Sequence, residues 1–187
     1  MMPTKRSRIL VLLLTAAVAV TSCKKNEEEP VEPNELITTV TLTFTEVGMT
    51  TSRTVTWKDA DGDGGAAPTV GKLSLSPNKT YALSVAILDE SKSPASNVGE
   101  EVAAEKDEHL IVYTPTPANL LTVTITDKDS RTLPVVLSAT AVTTAAGTGK
   151  LQVVLRHQPP VGGKDVKDGT PGPGSTDFDG TFEVEIK

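Results

Sequence analysis

From Leu36 to the C-terminus, apolar and polar residues alternate with a period of two. In "LITTVTLTFTEV", Leu36, Val40, Leu42 and Phe44 fall on one side, interrupted by Thr38, while Thr39, Thr41, Thr43 and Thr45 line the other. Successive side chains of a strand point to opposite faces, so this is the pattern of a strand with one wet face. The same grammar recurs in "SRTVTW", "KTYALSVAIL", "LLTVTIT", "LPVVLSATAV", "LQVVLRH" and "GTFEVEI". Glycine, proline, asparagine and aspartate separate the runs, as turns require. The pattern predicts an all-β chain: a single-domain antiparallel β-sandwich, immunoglobulin-like, of eight or nine strands over residues 36–187.

Two segments depart from that period. "SNVGEEVAAEKDEHL", from Ser96, predicts one short helix capped by Ser96 or Asn97 and lying over a sheet end or edge. "QPPVGGKDVKDGTPGPGS" is too rich in proline and glycine for a core. It reads as a long surface loop before the last strand, and its lack of aromatic residues favours disorder over a binding role.

The N-terminus follows another rule. Lys5, Arg6 and Arg8 precede the uncharged run Ile9–Val20, then Thr21, Ser22 and Cys23, the only cysteine. At about 1.5 Å per residue the run is shorter than a bilayer core of about 30 Å, so it does not span. Basic, apolar and small residues in that order are the grammar of a removed signal peptide over residues 1–22. With cysteine first after the cut, the segment resembles a bacterial lipoprotein signal, which implies acylation of Cys23. Two or three acyl chains hold a protein on a membrane without a spanning helix. Residues 23–35, beginning "CKKNEEEP", then read as an acidic, flexible tether. They also resemble the lysine-plus-acid tag of lipoproteins sent to the outer face of the outer membrane.

Removing residues 1–22 leaves 15 Lys+Arg against 24 Asp+Glu, a net charge of −9. Such a surface repels phosphate, and no basic stripe with interleaved aromatics is present, so nucleic acid is not an expected partner. A lone cysteine makes no intramolecular disulfide, and the fold must stand on its core.

Two places carry candidate chemistry. "DADGDGG" sets Asp59, Asp61 and Asp63 at alternate positions before Gly64, the opening of a calcium loop. Loop position twelve is Val70 rather than glutamate, and an acidic hairpin turn is the competing reading. The second place is "EEVAAEKDEHLIVY" together with "LQVVLRH". His109 and His157, were they on paired strands with Glu105 or Glu108 beside them, would form a nitrogen and oxygen site suited to zinc. The competing reading there is a solvated acidic helix with two structural histidines. Catalysis finds little support: there is no GxSxG turn, no second thiol and no HExxH helix. The chain is therefore expected not to be an enzyme.

Taken together, "WKDADGDGG", "LSPNKTYALSVAIL", "EEVAAEKDEHLIVY", "LQVVLRHQPP" and "TDFDGTFEVEI" resemble a family of small Bacteroidetes-type outer-membrane lipoproteins of unassigned function. The likeness runs over nearly the whole mature chain, in the same order. It implies an acidic loop at Asp59, Asp61 and Asp63, a Glu-His pair at Glu108 and His109, and a strand end at Arg156 and His157. "LIVY" and "DKDSRTLP" depart from that pattern. Relatives are often labelled as a type 1 periplasmic binding fold, but two α/β lobes do not suit a chain of this length and period.

The expectation for function follows from these parts. It is a lipid-anchored, surface-facing envelope protein that binds a divalent metal, calcium or zinc, or a small nutrient beside an outer-membrane transporter. A non-catalytic structural or adhesive lipoprotein is the alternative.

Overall fold

The computed structural model describes residues 36–187 except Asp63 and Val136. The signal peptide, Cys23 and the tether lie outside the described residues. Ten strands and one helix follow in order: β1 (Thr39–Glu46), β2 (Ser52–Lys58), β3 (Thr69–Val70), β4 (Lys72–Leu75), β5 (Thr80–Leu88), α1 (Val98–Ala104), β6 (His109–Thr116), β7 (Leu121–Ile125), β8 (Ser138–Thr143), β9 (Gly147–His157) and β10 (Ser175–Ile186). They form two packed sheets, with orders β3-β2-β1-β5-β8-β7 and β4-β10-β9-β6.

The connectivity is that of an immunoglobulin sandwich. β1, β5, β8 and β7 stand where strands A, B, E and D of that fold stand, and β6, β9 and β10 where C, F and G stand. β4 adds to β10 in parallel, the one parallel pairing among these strands. The hairpin of β2 and β3 widens the first sheet beyond β1. The inter-sheet disulfide of antibody domains has no counterpart, since the chain has one cysteine.

The expected strands are found, with corrections. Ten strands replace eight or nine because β3 and β4 are too short to show a period. "LPVVLSATAV" is not one strand: β8 begins at Ser138, and Pro134 makes only an isolated bridge to Lys128. Asn97 holds the N-cap position of α1, but its side chain makes no capping bond and instead donates to Glu100 Oε1 at 2.9 Å.

The alternation read from sequence becomes the core. Val40, Leu42 and Phe44 from β1 and Tyr81, Leu83 and Ile87 from β5 face Leu151, Val153, Leu155, Phe182, Val184 and Ile186, all buried. Each such side chain contributes about 1.5–3 kcal/mol through apolar burial. Trp57 of β2 meets Phe178 of β10 edge to face at 4.9 Å, an aromatic contact between the sheets. α1 lays Val98 and Val102 into the same core beside β5.

The Gln158–Gly174 segment is a long, mostly exposed surface loop before the last strand, as expected, but two buried side chains pin it in place. Gln158 is buried and donates from Nε2 to Thr170 O at 2.9 Å and Pro173 O at 3.0 Å. Lys167 is buried too: its ammonium lies 3.0 Å from Asp129 Oδ2 and donates to Lys106 O at 2.8 Å. Asp129 Oδ1 accepts the amides of Arg131 and Leu133 at 2.9 and 2.8 Å. Proline and glycine content and the lack of aromatic residues suggest disorder, whereas this loop is held by a buried charge pair and by its own carbonyls.

Candidate functional site

Register brings the two histidines together. In β6 and β9, Tyr113 pairs with Val153, Ile111 with Leu155, and His109 with His157. These residues share the face that packs into the core, so the histidine pair is the last rung of an apolar ladder, at the end of the sheet. The rings stack with centroids 4.7 Å apart and planes 5° from parallel. A backbone bond from Gln158 N–H to Glu108 O, 2.6 Å long, fixes the rung from outside.

Helix α1 supplies the acid. Its C-cap is Glu105, whose amide donates to Glu101 O and closes the last turn. The Glu105 carbonyl then accepts the Glu108 amide at 2.8 Å and His109 Nδ1 at 3.2 Å. A carbonyl can only accept, so Nδ1 carries the proton and the neutral ring presents a lone pair at Nε2. Ligand atoms of Glu105, His109 and His157 all lie within 4.8 Å of one another. They are the one group of this kind among the described residues. Glu105 is exposed, His157 half-buried and His109 buried, so the group runs from solvent inward. Glu108 stands at its rim, with Oε2 3.7 Å from His157 Nε2.

Burial is the main reason that the His109 imidazolium is disfavoured, and its pKa falls to about 4. The Glu105 carbonyl opposes that shift, while the positive charges of His157 and Lys167 add to it. At neutral pH His109 is therefore the neutral imidazole that a metal requires.

One member was missed by sequence reasoning. Asp177 lies in β10 between Thr176, which pairs with Arg156, and Phe178, which pairs with Leu155. No β9 residue opposes it, so it is the extra residue of a β-bulge. Its Oδ2 is 3.8 Å from His109 Nε2, and both side chains are sealed from solvent. Burial raises the Asp177 pKa, with the charges of His157 and Arg156 pulling against it. In "TDFDGTFEVEI", strict alternation puts Asp177 on the outer face with Asp179 and Glu183. Only the bulge turns it inward, and alternation alone does not reveal a bulge.

The aspartate turn behaves differently. Asp59 Oδ1 accepts the Gly62 amide at 3.1 Å and Asp61 Oδ2 the Ala66 amide at 2.8 Å. That bond to Ala66 is the chief reason the Asp61 carboxyl sits below its usual range. Both side chains brace the turn that carries them, and neither belongs to the histidine group. Asp63 lies outside the described residues.

No protein-family model matches the chain, and no curated protein or solved structure matches it. Two imidazoles and a carboxylate on adjoining elements form a borderline donor set, of the type that takes zinc rather than calcium or magnesium.

Proposed function

We propose that this chain is a non-catalytic binding module of the cell envelope, anchored through Cys23 on the outer membrane and facing outward. Its cargo is a divalent transition ion of zinc's kind. The observation that carries the reading is the His109–His157 rung at the sheet end with Glu105, the C-cap of α1, beside it, three ligand atoms within 4.8 Å. Sites on strands and helices hold ligand geometry better than sites on loops. The mouth of the group lies at Glu105 and Glu108, where an ion exchanges with solvent or with a neighbouring outer-membrane transporter.

Elemental mass spectrometry of protein purified without chelator or metal column tests this. The expected result is one zinc per chain, lost in His109→Ala and His157→Ala. Protein that stays empty after incubation with zinc rejects the reading, and one calcium per chain moves the site to Asp59, Asp61 and Asp63. The anchor has a separate test: Cys23→Ala is expected to release the protein from membranes, and retention rejects acylation. The alternative, a structural or adhesive lipoprotein, is favoured by the exposed Val47 and Met49 at the β1–β2 turn. It requires indifference to every metal.

A further inference from the structure

We infer that Asp177 is a direct ligand of the same ion, completing from the buried side a set of two imidazoles and two carboxylates. The inference rests on the reading of His109, His157 and Glu105 as a metal site and adds to it the residue that closes the site from within.

Three buried atoms at this end of the sheet are unpaired. Neither oxygen of Asp177 has a hydrogen-bond partner, and neither does His109 Nε2, although all three are buried. Because Nδ1 gives its proton to the Glu105 carbonyl, Nε2 points a lone pair at a carboxylate. Two acceptors facing each other in a dry place is an arrangement that proteins avoid, since each loses its water and gains nothing. A shared proton does not resolve it at this spacing: 3.8 Å is well beyond a hydrogen bond of about 2.7–3.2 Å. An ion does. Two donors on one tetrahedral zinc, each bonded at about 2.0–2.2 Å, stand about 3.3–3.6 Å apart, a few tenths less than the His109–Asp177 gap. Asp177 lies outside the 4.8 Å group of Glu105, His109 and His157, so sharing their ion requires its side chain to swing toward them.

The nearest rival for the carboxylate is Arg156, whose charge acts on Asp177 and whose Nε is unpaired, but its two terminal nitrogens are turned to other acceptors. Its guanidinium donates to Thr176 Oγ1, to Pro173 O at 2.9 Å and to Gly174 O at 2.7 Å. The bulge also needs a reason, because it gives up ladder pairing at this one position of β10. What it achieves is to turn Asp177 from the wet face to His109. The Nδ1–H bond to a backbone carbonyl is likewise the outer support that fixes ligating histidines.

The test uses chelator-stripped full-length protein in detergent, titrated calorimetrically with zinc chloride, alongside Asp177→Asn and Asp177→Cys. Asp177→Asn is expected to weaken zinc binding at least about 10–100-fold. The same change is expected to leave the metal-free melting temperature equal or higher, because a buried unpaired carboxylate has been removed. Asp177→Cys, loaded with cobalt(II), is expected to show a sulfur-to-cobalt charge-transfer band, which appears only when residue 177 binds the metal directly. A folded variant that binds cobalt without the band overturns the inference, as does Asp177→Asn with undiminished affinity. In either case zinc binding by the wild type leaves the histidine site standing. A wild type that binds no zinc removes both.

Discussion

Two buried polar clusters sit beside the same stretch of chain, and they are built on opposite principles. In one, Lys167 meets Asp129 at 3.0 Å, with Arg131 3.6 Å away and paired to Asp165 at 2.9 Å. Positive faces negative, and backbone amides take up much of the remaining valence. In the other, His109 Nε2 and Asp177 set acceptor against acceptor beside His157. The first cluster is complete in charge, although Asp129 Oδ2 and Arg131 Nε make no hydrogen bond, as expected of a device that holds a loop. The second is incomplete, as expected of a device that holds a ligand. Lys106 and Asp107, whose carbonyls receive Lys167 and Arg131, precede Glu108 and His109, so the complete cluster positions the incomplete one.

The largest effect should come from breaking the complete cluster. Lys167→Met leaves Asp129 buried without its main partner, and losing one member of a buried pair costs about 3–5 kcal/mol. Asp129→Asn/Lys167→Met, which removes both charges but keeps an oxygen for the Arg131 and Leu133 amides, should recover most of that loss. Urea unfolding measures both. A single variant costing under about 1 kcal/mol would mean that the loop is held by something else.

The second effect couples the clusters. Gly174 has φ +75°, and a Cβ there would collide with the His157 carbonyl. Gly174→Ala should destabilise by about 1–3 kcal/mol through that clash and the left-handed backbone. Because His157 must shift to make room, zinc affinity should fall with it. Stability lost at unchanged affinity would show that the loop and the site are independent.

How far these clusters were legible in the sequence follows from what each is made of. The strands were readable because Leu42, Leu83 and Leu155 obey a local period that burial enforces. His109 and His157 were readable as candidates, but their pairing depends on a register that joins residues 48 positions apart. Asp177 was not readable, because a bulge reverses the face that alternation assigns to it. Lys167 was not readable either: "VGGKDVKDG" looks like solvent-exposed loop, and the partner that makes burial tolerable lies in another loop, between β7 and β8. Local pattern shows what a residue prefers, while function here depends on which distant residue it meets.

A smaller effect appears in acid. Burial pushes the Asp129 carboxyl up, but the Lys167 ammonium and the Leu133 and Arg131 amides outweigh it, and the group ends below its ordinary 3.8. The unfolded chain then takes up the proton first. The stability that Asp129 contributes is complete above about pH 3.8 and is lost as pH falls through the folded value. Asp129→Asn has no such group to titrate, so between about pH 5 and pH 3 its unfolding midpoint should decline less than that of the wild type. Parallel declines would mean that the carboxyl is not held ionised by its neighbours.

The smallest effect on the fold, and the most selective for the site, belongs to Glu105→Gln. Its side chain is exposed, and the contact that orients His109 is made by the Glu105 backbone carbonyl, which the substitution keeps. Metal-free stability should therefore stay within about 0.5 kcal/mol of wild type. Zinc affinity should still fall, because an anionic donor becomes a neutral one at the mouth of the site. Asp61→Asn changes charge by the same amount on an acidic turn whose oxygen is engaged with the Ala66 amide, and it should leave zinc untouched. The pair separates a specific ligand from the general attraction of a chain with net charge −9 in its mature form. Equal losses in both would mean that zinc is drawn by charge alone, and a loss confined to Asp61→Asn would place the ion on the aspartate turn.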